Sequence, residues 1–128
     1  ANLTFNGTNL TVGGSVTAGG NVTAYSDARI KKDIVAIEDA LNKVCKIRGV
    51  TFTRTDAISY GVRQAGVIAQ EVEEVLPEVV TESGAGIKSV AYGNMIGLLV
   101  EAIKGLKAEV DTLKAQMPPP SGAPAGPT

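Results

Sequence analysis

The sequence predicts an α+β fold, in which small helices and β-hairpins follow a β-rich segment and precede one long C-terminal helix. Apolar residues between positions 96 and 117 recur at alternating steps of three and four, a spacing typical of a helix that packs along one seam. Residues 1–24 instead carry short runs of Thr and apolar residues between Asn-Gly and Gly-Gly pairs, as strands and turns do. No residue before Asp27 is charged, so the composition changes abruptly at Ser26.

This change in composition divides the chain into three predicted parts. Residues 1–25 are interpreted as a β-rich segment that needs partner strands, because each short strand has too little apolar surface to fold alone. A flexible Gly/Thr linker is the alternative. Residues 26–116 are predicted to form a compact module, and residues 117–128 a Pro-rich tail. We expect the tail to be disordered, because it carries no charge and has little apolar surface to bury.

A first helix is predicted over residues 35–47, because the residues of one apolar face recur at helical spacing: Ile37, Leu41 and Val44. Cys45 is the chain's single cysteine and lies beside this face, so we expect it to pack in the core. A strand at residues 50–53 and an extended segment at residues 60–63 then indicate a hairpin with a loose loop.

A short second helix is predicted over residues 70–75 and ends before Pro77. Its acidic residues are interpreted as a solvated face rather than a metal site, since no histidine accompanies them: Glu71, Glu73 and Glu74. Residues 79–81 and 87–90 flank a Ser-Gly-Ala-Gly segment, which indicates a second hairpin.

The long C-terminal helix is the clearest element, and its predicted seam consists of Ile96, Leu99, Ile103, Leu106, Val110 and Leu113. With Ile96 at heptad position a, Glu109 lies at g and Lys114 at the next e, which suits an ion pair between parallel chains. β-Branched residues at a and leucine at d favour a dimer by simple rules. A helix that buries this face within its own chain is the alternative to a coiled coil.

The residues that suggest covalent chemistry lie at the boundary, where Lys31 follows Ser26 by five positions. The chain contains no histidine, which excludes a Ser-His-Asp triad and leaves a Ser-Lys pair, in which a neutral amine takes the hydroxyl proton. Arg29 disfavours the ammonium form of Lys31 by repulsion, whereas Asp27 favours it. Five residues place two side chains on different faces of a helix or strand, so the chain must turn between them or another subunit must supply the lysine. A solvated loop is the simpler alternative.

Several other function classes are disfavoured by composition. The net charge of −1 argues against nucleic-acid binding, which usually requires a strong basic excess. No run of eighteen apolar residues occurs, and no basic and hydrophobic leader opens the chain, so we expect neither a membrane span nor a secretion signal. We also expect no cofactor and no metal.

A combination of motifs points to a known family. Ser-Asp-x-Arg-x-Lys at residues 26–31 is followed by Gly-Val-Ile-Ala-Gln-Glu-Val at residues 66–72 and Leu-Pro-Glu-Val-Val at residues 76–80. Together with shorter matches across most of residues 26–116, they resemble the peptidase S74 family. These are the C-terminal intramolecular chaperone domains, with auto-processing activity, of phage tail spikes and tail fibres.

The resemblance implies a homotrimer, held by a parallel trimeric coiled coil, that assembles the upstream fibre shaft of the same chain and then releases itself. Residues 1–25 are then the C-terminal end of that β-rich fibre shaft. Ser26 is then the nucleophile, Lys31 the base and Tyr25–Ser26 the scissile bond, with Asp27 and Arg29 contributing to the electrostatics of the site. Assembly is expected in the host cytoplasm and the mature fibre in the virion tail. A trimerisation cap that never cleaves is the main alternative, and a hydrolase that acts on other proteins is a weaker one.

Overall fold

The computed structural model describes residues 3–56 and 61–119. The chain divides into two compact units, one formed by residues 1–35 together with 53–64, and the other by residues 36–52 together with 65–128. The architecture is mixed α+β, with small β-hairpins and a long C-terminal helix, as the sequence predicts. None of the helices in the described ranges combines the length and the apolar character needed to cross a membrane.

The first unit begins with a hairpin of two short strands, β1 (Leu3–Phe5) and β2 (Leu10–Val12), which pair antiparallel. Asn6 forms the turn by accepting hydrogen bonds at Oδ1 from the backbone N–H groups of Thr8 at 2.9 Å and Asn9 at 2.7 Å. Gly7 adopts a φ of +92°, which favours glycine.

The short runs at residues 15–18 and 21–24, which the sequence suggests as strands that need partners, form no strand in the single chain, which has no regular element between residues 13 and 27. A strand needs hydrogen-bonding partners along its edge, and within the described residues of one chain this segment finds none. A short helical turn of the 3₁₀ type follows at Ala28–Ile30.

The second unit begins with helix α1 (Ala40–Cys45), which is much shorter than the helix expected over residues 35–47. The cause is Asp39, whose backbone lies in the left-handed region at φ 55° and ψ 35° and therefore ends any helical continuation toward the N-terminus. Cys45 is an exposed free cysteine, so the expectation that it packs in the core is also wrong. Its position at the last turn of a six-residue helix places it outside the packed face.

Strand β3 (Val50–Thr53) pairs with β4 (Arg63–Gly66) in a two-stranded sheet, which confirms the hairpin predicted after the first helix. Its second strand begins three residues later than expected. Tyr60, where that strand was expected to begin, lies outside the described residues. Helix α2 (Ala69–Val75) confirms the second predicted helix. Pro77 begins a short 3₁₀ turn, after which β5 (Val80–Glu82) and β6 (Lys88–Val90) form the second predicted hairpin.

A 3₁₀ turn at Tyr92–Met95 leads into helix α3 (Ile96–Gln116), which confirms the long C-terminal helix. The core of this unit consists of Ala40, Val72, Leu76, Val79, Met95, Leu98 and Ala102. Two glycines of α3 allow α1 and the segment before it to approach closely, since a Cβ at Gly97 would lie 3.5 Å from Ile37 Cδ1 and one at Gly105 would lie 3.6 Å from Leu41 Cβ.

The acidic residues of α2 differ from the solvated face that the sequence suggests. Glu71 and Glu73 are only partly exposed, and both form ion pairs, with Arg48 and Lys88 respectively. Glu74 is exposed, as expected. Across the described residues, no group of three potential metal ligands comes together.

Candidate functional site

The candidate site is built on the 3₁₀ turn at Ala28–Ile30. The turn is closed by two backbone hydrogen bonds, from Ile30 N to Asp27 O and from Lys31 N to Ala28 O, both at 3.1 Å. Asp27 is its N-cap, with an extended backbone and a side chain that accepts from the amide of Arg29. Lys31 then returns to extended geometry, at φ −121° and ψ 143°. The chain therefore reverses between residues 26 and 31.

This reversal brings together the serine and the lysine singled out by the sequence. Lys31 Nζ donates a hydrogen bond to Ser26 Oγ at 2.5 Å, and both residues are exposed. The lysine comes from the same chain, which answers the geometric question that a spacing of five leaves open. An amine at this distance can take the hydroxyl proton directly when it is unprotonated, without a bridging water.

Asp27 and Arg29 lie within the same turn and hold each other through paired hydrogen bonds. Asp27 Oδ1 accepts from Arg29 Nε at 3.0 Å and Oδ2 accepts from Arg29 Nη2 at 2.8 Å, in addition to the bond from the Arg29 amide to Oδ1 at 2.8 Å. The Arg29 guanidinium and then its backbone N–H lower the pKa of the Asp27 carboxyl, and the carboxylate raises the pKa of Arg29. Sequence reasoning assigned these residues to site electrostatics and missed the cap, although aspartate at an N-cap is a known preference.

The peptide bond between Tyr25 and Ser26 lies at the surface. Tyr25 is 97% exposed, and an open cavity beside it is lined by residues of the same unit, namely Thr8, Asn9, Thr23, Ala24, Tyr25 and Ser26. Both residues of the bond are thus exposed to solvent, as a hydrolytic step requires.

A second functional surface lies on α3 and is defined by the six predicted seam residues, which we call the exposed seam: Ile96, Leu99, Ile103, Leu106, Val110 and Leu113. Their exposure ranges from 39% for Val110 to 65% for Ile103. The helix contributes Leu98 and Ala102 to the core, so the buried face is a different one. The alternative in which the seam is buried within its own chain is therefore wrong for the described residues.

The charges of α3 separate into two groups. Lys104 pairs with Glu101 at 3.1 Å and Lys107 with Asp111 at 2.6 Å, along the helix. Glu109 and Lys114, the residues at heptad positions g and e, form no ion pair with any described residue. An unpaired cation and an unpaired anion thus flank the exposed seam.

The fold and these two surfaces define a small α+β module with a Ser-Lys pair at its N-terminal boundary and an unpartnered apolar helix face at its C-terminal end. The Peptidase S74 family, described as chaperone of endosialidase, matches residues 26–81. Residues 26–81 therefore match the peptidase S74 family, as the motifs of the chain indicate.

Similar proteins include three phage tail fibre proteins. The long tail fiber protein Gp37 of Enterobacteria phage K3 is 39% identical over 98 residues, covering 72% of this chain and 8% of that protein. Gp37 of Enterobacteria phage T2 is likewise 39% identical over 98 residues, covering 72% of this chain and 7% of its own length. Gp37 of Salmonella phage S16 is 35% identical over 124 residues, covering 91% of this chain and 17% of its own length. The chain thus spans less than a fifth of each of these relatives.

Proposed function

We propose that residues 26–116 form an intramolecular chaperone that trimerises, registers an upstream β-rich shaft, and then releases itself by cleaving the Tyr25–Ser26 bond. The observation that carries the proposal is the direct hydrogen bond between Lys31 Nζ and Ser26 Oγ, next to a peptide bond that joins two exposed residues. The match of residues 26–81 to the Peptidase S74 family supports it.

In the proposed reaction Ser26 Oγ attacks the carbonyl carbon of Tyr25, and neutral Lys31 takes the hydroxyl proton. The C–N bond between the two residues breaks, the Ser26 nitrogen receives the proton from Lys31, and Tyr25 becomes an ester of the Ser26 side chain. Water then attacks the ester carbonyl, which frees the Tyr25 carboxylate and restores the Ser26 hydroxyl. The products are a shaft that ends at Tyr25 and a module that begins with the amine of Ser26.

Trimerisation is proposed to use the exposed seam, because three chains together bury apolar surface that each chain alone leaves in water. Simple heptad rules favour a dimer for this pattern, whereas the family resemblance implies a trimer, and we follow the resemblance over a seam of only three heptads. Glu109 and Lys114 support a parallel arrangement, since neither forms an ion pair with a described residue of its own chain and each lies where a neighbouring chain would supply one.

The proposed partners are two further copies of this chain and the shaft formed by residues 1–25 with whatever precedes them. The relatives named as tail fibre proteins support a place in the virion tail for the mature fibre, after assembly in the host cytoplasm and release of the module. Residues 117–128 remain proposed as a Pro-rich tail, of which only residues 117–119 lie within the described range.

A trimerisation cap that does not cleave is the second candidate. It is favoured by the exposed seam, whose residues lie far along the sequence from Ser26, so that trimer formation does not need the Ser-Lys pair. The two candidates differ in the mass of the expressed chain.

The intact mass of the chain after expression tests the proposal. The unmodified chain should yield a fragment that begins at Ser26, Ser26→Ala should remain full length, and Lys31→Arg should remain full length because a guanidinium stays protonated. The cleavage rate of the unmodified chain should rise with pH as the neutral amine becomes available. A fragment beginning at residue 26 from the Ser26→Ala chain would overturn the nucleophile assignment, and an uncleaved wild-type chain would favour the cap.

A further inference from the structure

The position of Lys31 depends on the turn at Ala28–Ile30, and no packing holds this turn in place. The turn buries no residue, and every residue from 21 to 36 is exposed. The geometry between Lys31 and Ser26 must therefore come from local hydrogen bonds rather than from a core. Such a segment samples many conformations unless its backbone is capped, because ordering each residue costs conformational entropy.

Two of these bonds are the backbone hydrogen bonds that close the turn, and the side chain of Asp27 adds three more. Its Oδ1 accepts the amide of Arg29 at 2.8 Å, which fixes the first peptide of the turn, and both of its oxygens are held by the Arg29 guanidinium. A forked, charge-assisted contact of this kind holds a carboxylate in one orientation. Arg29 thus keeps Oδ1 directed at the amide that it caps.

We infer that Asp27 is a positioning residue for the Ser26–Lys31 pair: its carboxylate caps the turn that carries Lys31 to Ser26, and Arg29 locks that carboxylate in the capping orientation. This inference rests on the proposed self-cleavage. It assigns Asp27 no proton transfer and no contact with the reacting carbonyl, so its role differs from a general contribution of charge to the site.

Three variants separate the cap from the lock. Asp27→Ala removes both, Asp27→Ser keeps an oxygen that can accept the Arg29 amide but cannot hold the guanidinium, and Arg29→Ala keeps the cap and removes the lock. Asp27→Ala should slow cleavage by about two- to thirtyfold, the range that corresponds to the loss of a helix cap. Asp27→Ser and Arg29→Ala should fall between Asp27→Ala and the unmodified chain.

The pH profile distinguishes positioning from an electrostatic role. A positioning residue changes the rate at every pH and leaves the pH of half-maximal rate where it is, whereas a charge that acts on Lys31 shifts that pH. Lys32 and Asp33, the other charged groups of this segment, are kept unchanged in all variants. Glu38→Ala is the matched control, since it removes one exposed carboxylate outside the turn and should leave the rate unchanged.

A second measurement keeps the inference testable if cleavage itself fails. In the Ser26→Ala chain, which should stay intact, hydrogen exchange followed by NMR reports the amides of Arg29, Ile30 and Lys31. Adding Asp27→Ala should speed exchange at all three, and adding Asp27→Ser should restore part of the protection. Unchanged exchange in the Asp27→Ala chain, a wild-type cleavage rate for Asp27→Ala, an Asp27→Ser chain no faster than Asp27→Ala, or a shifted pH profile would each overturn the inference. An uncleaved wild-type chain with the expected exchange pattern would instead overturn the proposed function alone.

Discussion

Arg48 and Glu71 lie 23 positions apart and are joined by four hydrogen bonds that tie the segment after α1 to the first turn of α2. The Arg48 backbone N–H donates to Glu71 Oε1 at 3.2 Å, and its Nη2 donates to Oε2 at 2.6 Å. The hydrogen bonds from the Arg48 side chain hold the pKa of Glu71 below its ordinary value. One carboxylate thus binds both the backbone and the guanidinium of the same residue.

This contact predicts an acid-sensitive contribution to stability. A carboxyl whose folded-state pKa is lowered stabilises the fold above its unfolded pKa, about 4.3 for glutamate, and loses that contribution as the pH falls through the folded value. Glu71→Gln should therefore lower the free energy of unfolding at neutral pH. The difference from the unmodified protein should shrink steadily below about pH 4. Urea unfolding at a series of pH values measures it.

The control is Glu74→Gln, which changes an exposed glutamate of the same helix that forms no ion pair with a described residue. Its effect on stability should be small and nearly independent of pH. If the free energies of unfolding of Glu71→Gln and the unmodified protein differ by the same amount from pH 7 to pH 3, the charge of Glu71 does not contribute to the stabilising effect of the Arg48 contact.

Two glycines of the second unit predict opposite outcomes of the same substitution. A Cβ at Gly66 would lie 2.5 Å from Tyr92 Oη, which also accepts a hydrogen bond from the Val67 amide at 3.3 Å. Gly66→Ala should displace the Tyr92 hydroxyl and break that bond, at a cost of about 0.5–1.5 kcal/mol. Gly105 lies inside α3, where its Cβ would make an ordinary contact with Leu41. Gly105→Ala should stabilise the fold by about 0.5–1 kcal/mol.

Urea unfolding of the two variants side by side provides the measurement. Because the substitution is identical, differences in side-chain hydrophobicity and in the unfolded chain largely cancel between them. A stabilised Gly66→Ala variant would indicate that Tyr92 moves aside and that its hydrogen bond from the Val67 amide contributes no measurable stability.

The elements that the sequence predicts correctly are those whose pattern is repeated. The seam of α3 is visible because six apolar residues keep one spacing, and no single substitution in it would hide the helix. The two hairpins of the module are visible because polar or glycine-containing loops separate alternating strands. Each of these signals sums over several residues.

Two predictions of secondary structure differ most from the structure of the single chain. One is the start of helix α1, which depends on one residue, and the other is a set of strands that have no partner edge in one chain. The left-handed backbone of Asp39 shortens α1, yet aspartate adopts that conformation only occasionally and the apolar spacing before it still reads as helical. The strands expected at residues 15–24 lack a partner edge in the described chain. From the sequence one can say only that Ser26 and Lys31 meet if the chain turns between them. Whether it turns depends on a single capping side chain, that of Asp27.

Disruption of the exposed seam should abolish trimerisation. Ile103→Lys combined with Leu106→Lys places two ammonium groups per chain where the proposed coiled coil excludes water, and burying unpaired charge is strongly unfavourable. Sedimentation should then show monomers. The core of the second unit should be unaffected, since both positions are exposed in the single chain.

The matched control for the seam adds the same charge to the same helix. Ala108→Lys with Thr112→Lys places two lysines at exposed positions outside the seam, and it should leave the oligomer intact. An unchanged oligomer in the seam variant would move the interface to another surface, whereas loss of the oligomer in both variants would point to net charge rather than to the seam.

The last prediction concerns the shaft. The β1–β2 hairpin leaves Leu3, Phe5 and Leu10 exposed, and residues 13–27 form no regular element in the single chain, so these strands need partner chains to bury their apolar side chains. Finding two partners and one register by diffusion carries a large loss of conformational and translational freedom. The proposed trimeric module would raise the local concentration of the three shaft ends to roughly the millimolar range, before their open edges can pair wrongly.

The shaft should therefore assemble only when the module is present during folding. Expressed with residues 26–116, it should be soluble, trimeric and resistant to heat and detergent, and without them it should aggregate or remain monomeric. The Ser26→Ala chain separates assembly from release, because its shaft should form but stay linked to the module. If the attached module also speeds dissociation of the assembled shaft, cleavage removes that effect. The cleaved fibre should then dissociate more slowly than the uncleaved one. A shaft that is equally soluble, trimeric and resistant without the module would refute the chaperone role, and it would leave self-cleavage to be judged on the Ser26 and Lys31 variants alone.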